Sequence, residues 1–75
     1  MTTADFIDTF KELIQTDMPL TLETPLADVE EWDSMAIMAV IAYLDVQHRT
    51  QAAYPQLKDL RTVGDVARLI PDFKE

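Results

Sequence analysis

The chain predicts an all-α domain of three main helices plus one short helix around a single core, and three observations carry that expectation. Apolar residues recur at helical spacing, helix-start signals precede two of the three main apolar segments and an aspartate cap the third, and no segment shows the strict alternation of a half-buried strand. The length of 75 residues allows one small domain. There is no Cys, so neither a disulfide nor a thiolate metal site can supplement the core. Packing must therefore supply the stability, and 48% apolar residues is enough to build on.

The first helix follows from Phe6, Ile7, Phe10, Leu13 and Ile14, which fall on one stripe. Thr2 with Asp5 offers a capping-box start, and Pro19 forbids continuation. A long loop, roughly Pro19 to Asp33, comes next, and Leu20, Leu22, Leu26 and Val29 predict that it is pinned to the core. The second helix is expected to start at Ser34 and run to about Gln47. Asp33 is its N-cap, because a carboxylate there can accept the free N–H groups of the first turn. Trp32 and Ile37 occupy the two positions of a hydrophobic staple. His48 to Tyr54 reads as a polar linker, and Pro55 to Leu60 as a short third helix. Thr62 and Asp65 then signal a last helix carrying Val63, Val66, Ala67, Leu69 and Ile70, with Pro71 as its stop.

Charge is distributed unevenly over a net −8. Residues 1–47 hold ten acids against Lys11 alone, whereas residues 48–75 are nearly neutral. Such a field disfavours nucleic acid and anionic lipid and favours basic protein surfaces. The N-terminus lacks a basic and an apolar signal region, and the uncharged run Met35 to Leu44 is too short to span a bilayer. A cytoplasmic monomer without membrane insertion is the expectation.

The chain has little equipment for catalysis. Its one histidine, His48, lies fourteen residues from Ser34, roughly 20 Å along a helix, so the two cannot form a nucleophile–base pair. His48 reads as an ordinary helix-end residue. The acidic run Asp28, Glu30, Glu31 and Asp33 lacks the glycine and the terminal glutamate of a calcium loop, so no metal site is expected. Gly64 is the only glycine, which excludes a phosphate-cradling loop. A serine in the first turn of a helix is nonetheless exposed beside free N–H groups, where a phosphate ester would be well accommodated.

Asp33-Ser34-Met35 at the start of the second helix resembles the serine motif of the acyl carrier proteins. The resemblance extends over the whole chain, 1–75, including Leu60 to Ile70 ("LRTVGDVARLI") at the start of the last helix. It implies a small four-helix bundle of acyl-carrier type with no catalytic activity of its own. Ser34 would carry covalent 4′-phosphopantetheine from coenzyme A, and Asp33 would help present it to a phosphopantetheinyl transferase. The implied partners are that transferase and the enzymes that load, modify and transfer the acyl group. Two departures point away from general fatty acid synthesis and toward a free-standing carrier of a specialised pathway. Ala36, Ala39, Ala42 and Val46 stand on a helix that usually shows several acids, with Asp45 alone charged, and position 48 is His. A D-alanyl or other aminoacyl carrier is the alternative cargo class, and a helical interaction module without prosthetic group the alternative function.

On the second helix, spacing assigns Ile37, Val40, Ile41 and Leu44 to the core. Met35, Met38, Ala39, Ala42 and Asp45 then fall on or beside the opposite face, the expected surface for partner enzymes.

Overall fold

A computed structural model describes all 75 residues. Four helices are joined by loops: α1 (Thr3–Ile14), α2 (Ser34–His48), α3 (Tyr54–Lys58) and α4 (Val63–Ala67), with a 3₁₀ turn at Leu26–Asp28. The only β-type pairings are two isolated bridges, Thr2 with Lys74 and Pro25 with Thr62. No helix is long and apolar enough to cross a membrane.

Helix starts form where the capping residues stand. Thr2 Oγ1 accepts the Asp5 N–H at 3.2 Å, Asp33 Oδ1 accepts that of Ala36 at 2.9 Å, and Thr62 Oγ1 that of Asp65 at 3.2 Å. The ends of α1 and α2 have a different origin. Gln15 (φ 57°) and Arg49 (φ 51°) adopt the left-handed conformation, turning their N–H groups back onto the last carbonyls of each helix. α1 therefore ends at Ile14, five residues before Pro19, and α2 includes His48. After Gln15 the chain turns into Thr16, a buried threonine whose Oγ1 accepts the Met18 N–H.

The last helix departs most from expectation. α4 has five residues, not the eight that would reach Ile70, so two long helices and two short ones replace three long and one short. Beyond Ala67 the bonds tighten to the i−3 pattern, with Leu69 N–H on the Val66 carbonyl and Ile70 N–H on that of Ala67. The tighter turns bury Ile70 and bring the chain round so that Phe73 meets Phe6 and the Lys74 N–H reaches the Met1 carbonyl. The third helix begins at Tyr54, one residue early, with Pro55 in its first turn, where the missing N–H costs nothing.

Phe6, Phe10 and Ile14 of α1 pack with Leu20, Leu26 and Val29 of the loop, Leu57 of α3, and Val63, Val66 and Ala67 of α4. The long loop is thus pinned as its leucines predict, although Leu22 is half-buried. Three backbone bonds hold it to the start of α4: Leu26 N–H to Arg61 O at 2.8 Å, Val63 N–H to Thr24 O at 3.0 Å, and Gly64 N–H to Leu22 O at 2.8 Å. On α2 the buried residues are Ala36, Ile37, Val40 and Leu44. Ile41, expected in the core, is half-buried, whereas Ala36 is buried on the side of α2 that faces Leu13 and Ile14 of α1.

Candidate functional site

Ser34 is the first residue of α2 and is exposed. Two features fix how the chain reaches it. Asp33 spends its carboxylate on the Ala36 N–H, while its carbonyl accepts the Ile37 N–H at 2.9 Å. The N–H groups of Ser34 and Met35 find no acceptor within the protein. Two residues upstream, the Trp32 ring lies 5.6 Å from that of Phe10, which itself stacks on Phe6 at 5.5 Å. The aromatic anchor of this bend is therefore α1, through contacts of the kind that add about 0.5–1.5 kcal/mol beyond burial.

The Ser34 hydroxyl has one polar partner. Its Oγ lies 2.8 Å from the Tyr54 hydroxyl, so the first residues of α2 and α3 are joined side chain to side chain. The sequence reading missed Tyr54 and placed it in a linker. Its only local signal is the Tyr-Pro pair that opens α3, and no spacing rule relates residues twenty apart across two helices.

His48 stands at the other end of α2. Its Nε2 shares a 2.8 Å hydrogen bond with the Tyr43 hydroxyl, and its Nδ1 lies 3.7 Å from the Asp72 carboxylate. Burial, and secondarily the negative charge of Asp72, pushes the Tyr43 phenol up from its ordinary value. His48 and Ser34 thus belong to separate networks, as their separation along the helix predicts.

The expected partner face divides into two. Met38, Ala42 and Asp45, with Ile41, line a groove of about 620 Å³ against Gln51, Ala52, Ala53 and Gln56 before and within α3. Met35 and Ala39 line a second crevice of about 400 Å³ on the other side of α2, with Leu13 and Ile14 of α1 and the acids Glu31 and Asp33. Met35 is 82% exposed and Met38 54%, whereas Ala39 is half-buried in its crevice and not part of an open face. Val46, assigned to neither set from the sequence, is 72% exposed and extends the apolar surface toward the C-terminal end of α2. Isolated exposed apolar side chains are ordinary; Met35 and Met38 stand apart from Val46 in lying within about one turn of the exposed Ser34 hydroxyl.

Asp28, Glu30 and Asp33 are exposed, and no three His, Cys, Asp or Glu side chains converge as metal ligands. Comparisons with protein-family models, with curated proteins and with solved structures find no match, which leaves the residues and their geometry as the grounds for a functional reading.

Proposed function

We propose that this protein is a free-standing acyl carrier, with 4′-phosphopantetheine esterified to Ser34 and a bundle of acyl-carrier type behind it. The observation that carries the reading is Asp33-Ser34-Met35 opening the exposed end of α2, with the serine hydroxyl at the surface and a fixed cap behind it. The residues fit the group. The Ser34 and Met35 N–H groups lack acceptors, and the positive end of a 15-residue helix favours a phosphodiester anion there. The arm supplies a terminal thiol for thioester chemistry, which this cysteine-free chain does not itself contain.

Asp33 holds the first turn rigid and so presents Ser34 to the transferase. Met38, Ala42 and Asp45 on one side of α2, and Met35 and Ala39 on the other, are the surfaces that loading, modifying and acyl-transferring enzymes would contact. Apolar contact supplies the docking energy there, and the net −8 of the chain steers basic partners toward it. The cargo is an acyl group of a specialised pathway, with an aminoacyl cargo as the second possibility within the same chemistry.

Coenzyme A and a broad-specificity phosphopantetheinyl transferase test the reading by intact mass. The wild type is expected to gain one phosphopantetheinyl group and Ser34→Ala none, while Ser34→Ala keeps its thermal stability because Asp33 still caps the Ala36 N–H. Arm attachment in Ser34→Ala would refute the site. No gain in the wild type would refute the carrier function and leave a helical interaction module.

A further inference from the structure

We propose that Tyr54 is a positioning residue for Ser34: its phenol orients the serine hydroxyl before the arm is attached and donates a hydrogen bond to the phosphodiester afterwards. The inference rests on the carrier function proposed above and goes beyond it, since nothing in the Asp-Ser-Met motif involves residue 54. Three observations carry it. The two oxygens are 2.8 Å apart, and the phenol is the only protein group bonded to Ser34 Oγ. The Tyr54 ring is half-buried and packed against the core, so its hydroxyl is delivered from a held side chain rather than a free one. Its backbone is also constrained: Pro55 follows it in the first turn, and Gln56 Oε1 accepts the Ala53 N–H at 3.4 Å.

An exposed serine at a helix start otherwise samples several χ1 rotamers. A phenol at 2.8 Å favours the one that keeps the hydrogen bond, and with it one direction for the Oγ lone pairs. In the transfer, Ser34 Oγ forms the bond to phosphorus as the bond from that phosphorus to the nucleotide's oxygen breaks. The departing adenosine bisphosphate keeps that electron pair, and the Ser34 proton passes to a base on the transferase. Holding Oγ in one rotamer reduces the orientation that the encounter must supply, which is a kcat effect. After transfer Oγ carries no proton. Any hydrogen bond across this pair then runs from the Tyr54 O–H to the ester oxygen or to an adjacent non-bridging phosphate oxygen, the latter being the stronger, charge-assisted kind. Tyr54 would thus change from a partner able to donate or accept into an obligate donor.

Tyr54→Phe keeps the half-buried ring packed against the core and removes only the hydroxyl. Three readouts on wild type and variant test the idea: Ser34 χ1 couplings in the unmodified protein, arm-transfer kinetics by intact mass, and the ³¹P resonance of the modified protein. The expected result is averaged χ1 couplings, a roughly 3- to 10-fold fall in kcat with KM unchanged, and a displaced ³¹P signal at equal thermal stability. A purely structural role would lower stability and leave the ³¹P shift where it is. Equal kcat and an unmoved ³¹P resonance in Tyr54→Phe, with the wild type carrying the arm normally, would overturn the role of Tyr54 and leave the carrier function standing. A wild type that takes no arm would remove the carrier function, and this inference with it.

Discussion

Gly64→Ala separates two physical effects of opposite sign. Gly64 is the second residue of α4 and its φ is not positive, so alanine meets no backbone strain there. Helix propensity alone then favours alanine by about 1 kcal/mol. The surroundings oppose it. An alanine Cβ would stand 2.8 Å from the Leu22 carbonyl oxygen, 3.2 Å from Leu22 Cβ and 3.0 Å from Arg68 Nη1. The guanidinium is the end of a flexible side chain and can withdraw. The Leu22 carbonyl cannot, because it accepts the Gly64 N–H at 2.8 Å and belongs to the loop's attachment to α4. Relief therefore requires the loop to move, losing a hydrogen bond of about 1 kcal/mol and repacking at about 1–3 kcal/mol. Set against the propensity gain, the net cost is about 2 kcal/mol, and the melting temperature of a domain this size should fall by roughly 8–16 °C. Thermal melts by circular dichroism, with urea titration for the free energy, measure it. An unchanged or raised melting temperature would show that propensity wins and that the loop is not held against α4 by this close approach.

Four further variants probe other contacts of the fold. Trp32→Ala removes the ring that packs, tilted, against Phe10 and should cost roughly 1–3 kcal/mol; an unchanged melt would mean the ring does not anchor the bend before Ser34. Ala42→Glu places a charged side chain among the apolar residues Met38, Ile41 and Ala52 of the groove between α2 and α3 and should raise KM for arm transfer roughly 5- to 10-fold at every ionic strength. Asp45→Lys should instead give an effect that fades as salt is raised, and the reverse pattern in these two variants would make docking electrostatic. Asp65 accepts the N–H groups of Arg61 and Thr62, each at 3.1 Å, and these bonds, with Arg68 alongside, hold its carboxyl below the ordinary 3.8. Its folded value lies below its unfolded one, so its contribution is fully present above the unfolded value and is lost as pH falls through the folded one. The stability difference between wild type and Asp65→Asn should therefore narrow below about pH 4; a difference constant down to about pH 2 would refute the assignment.

What the sequence determined by itself was local. Thr2, Asp33 and Thr62 each satisfy an N–H three residues ahead, so their effect is complete within one turn and visible without any tertiary contact. The alternative to burial for Leu20, Leu26 and Val29 was exposure of large apolar groups, so the attachment of the loop was legible too. The proposed Asp33-Ser34-Met35 site is equally local, since its three residues adjoin in the chain. Tertiary structure decided the rest. Gln15 and Arg49 end their helices in a left-handed conformation that glycine would have announced and these residues do not. α4 closes early because turns tighter than an α-helix bury Ile70 and bring Phe73 to Phe6, a gain that propensity over 63–70 does not contain. On α2, an apolar helix on nearly every side, periodicity put Ile41 in the core and left Ala36 out, and the packing of α1 on one side and α3 on the other decided otherwise. The same crossing of α2 and α3 brings Tyr54 to Ser34 across twenty residues of chain, a contact set by how two helices pack and by no spacing within either.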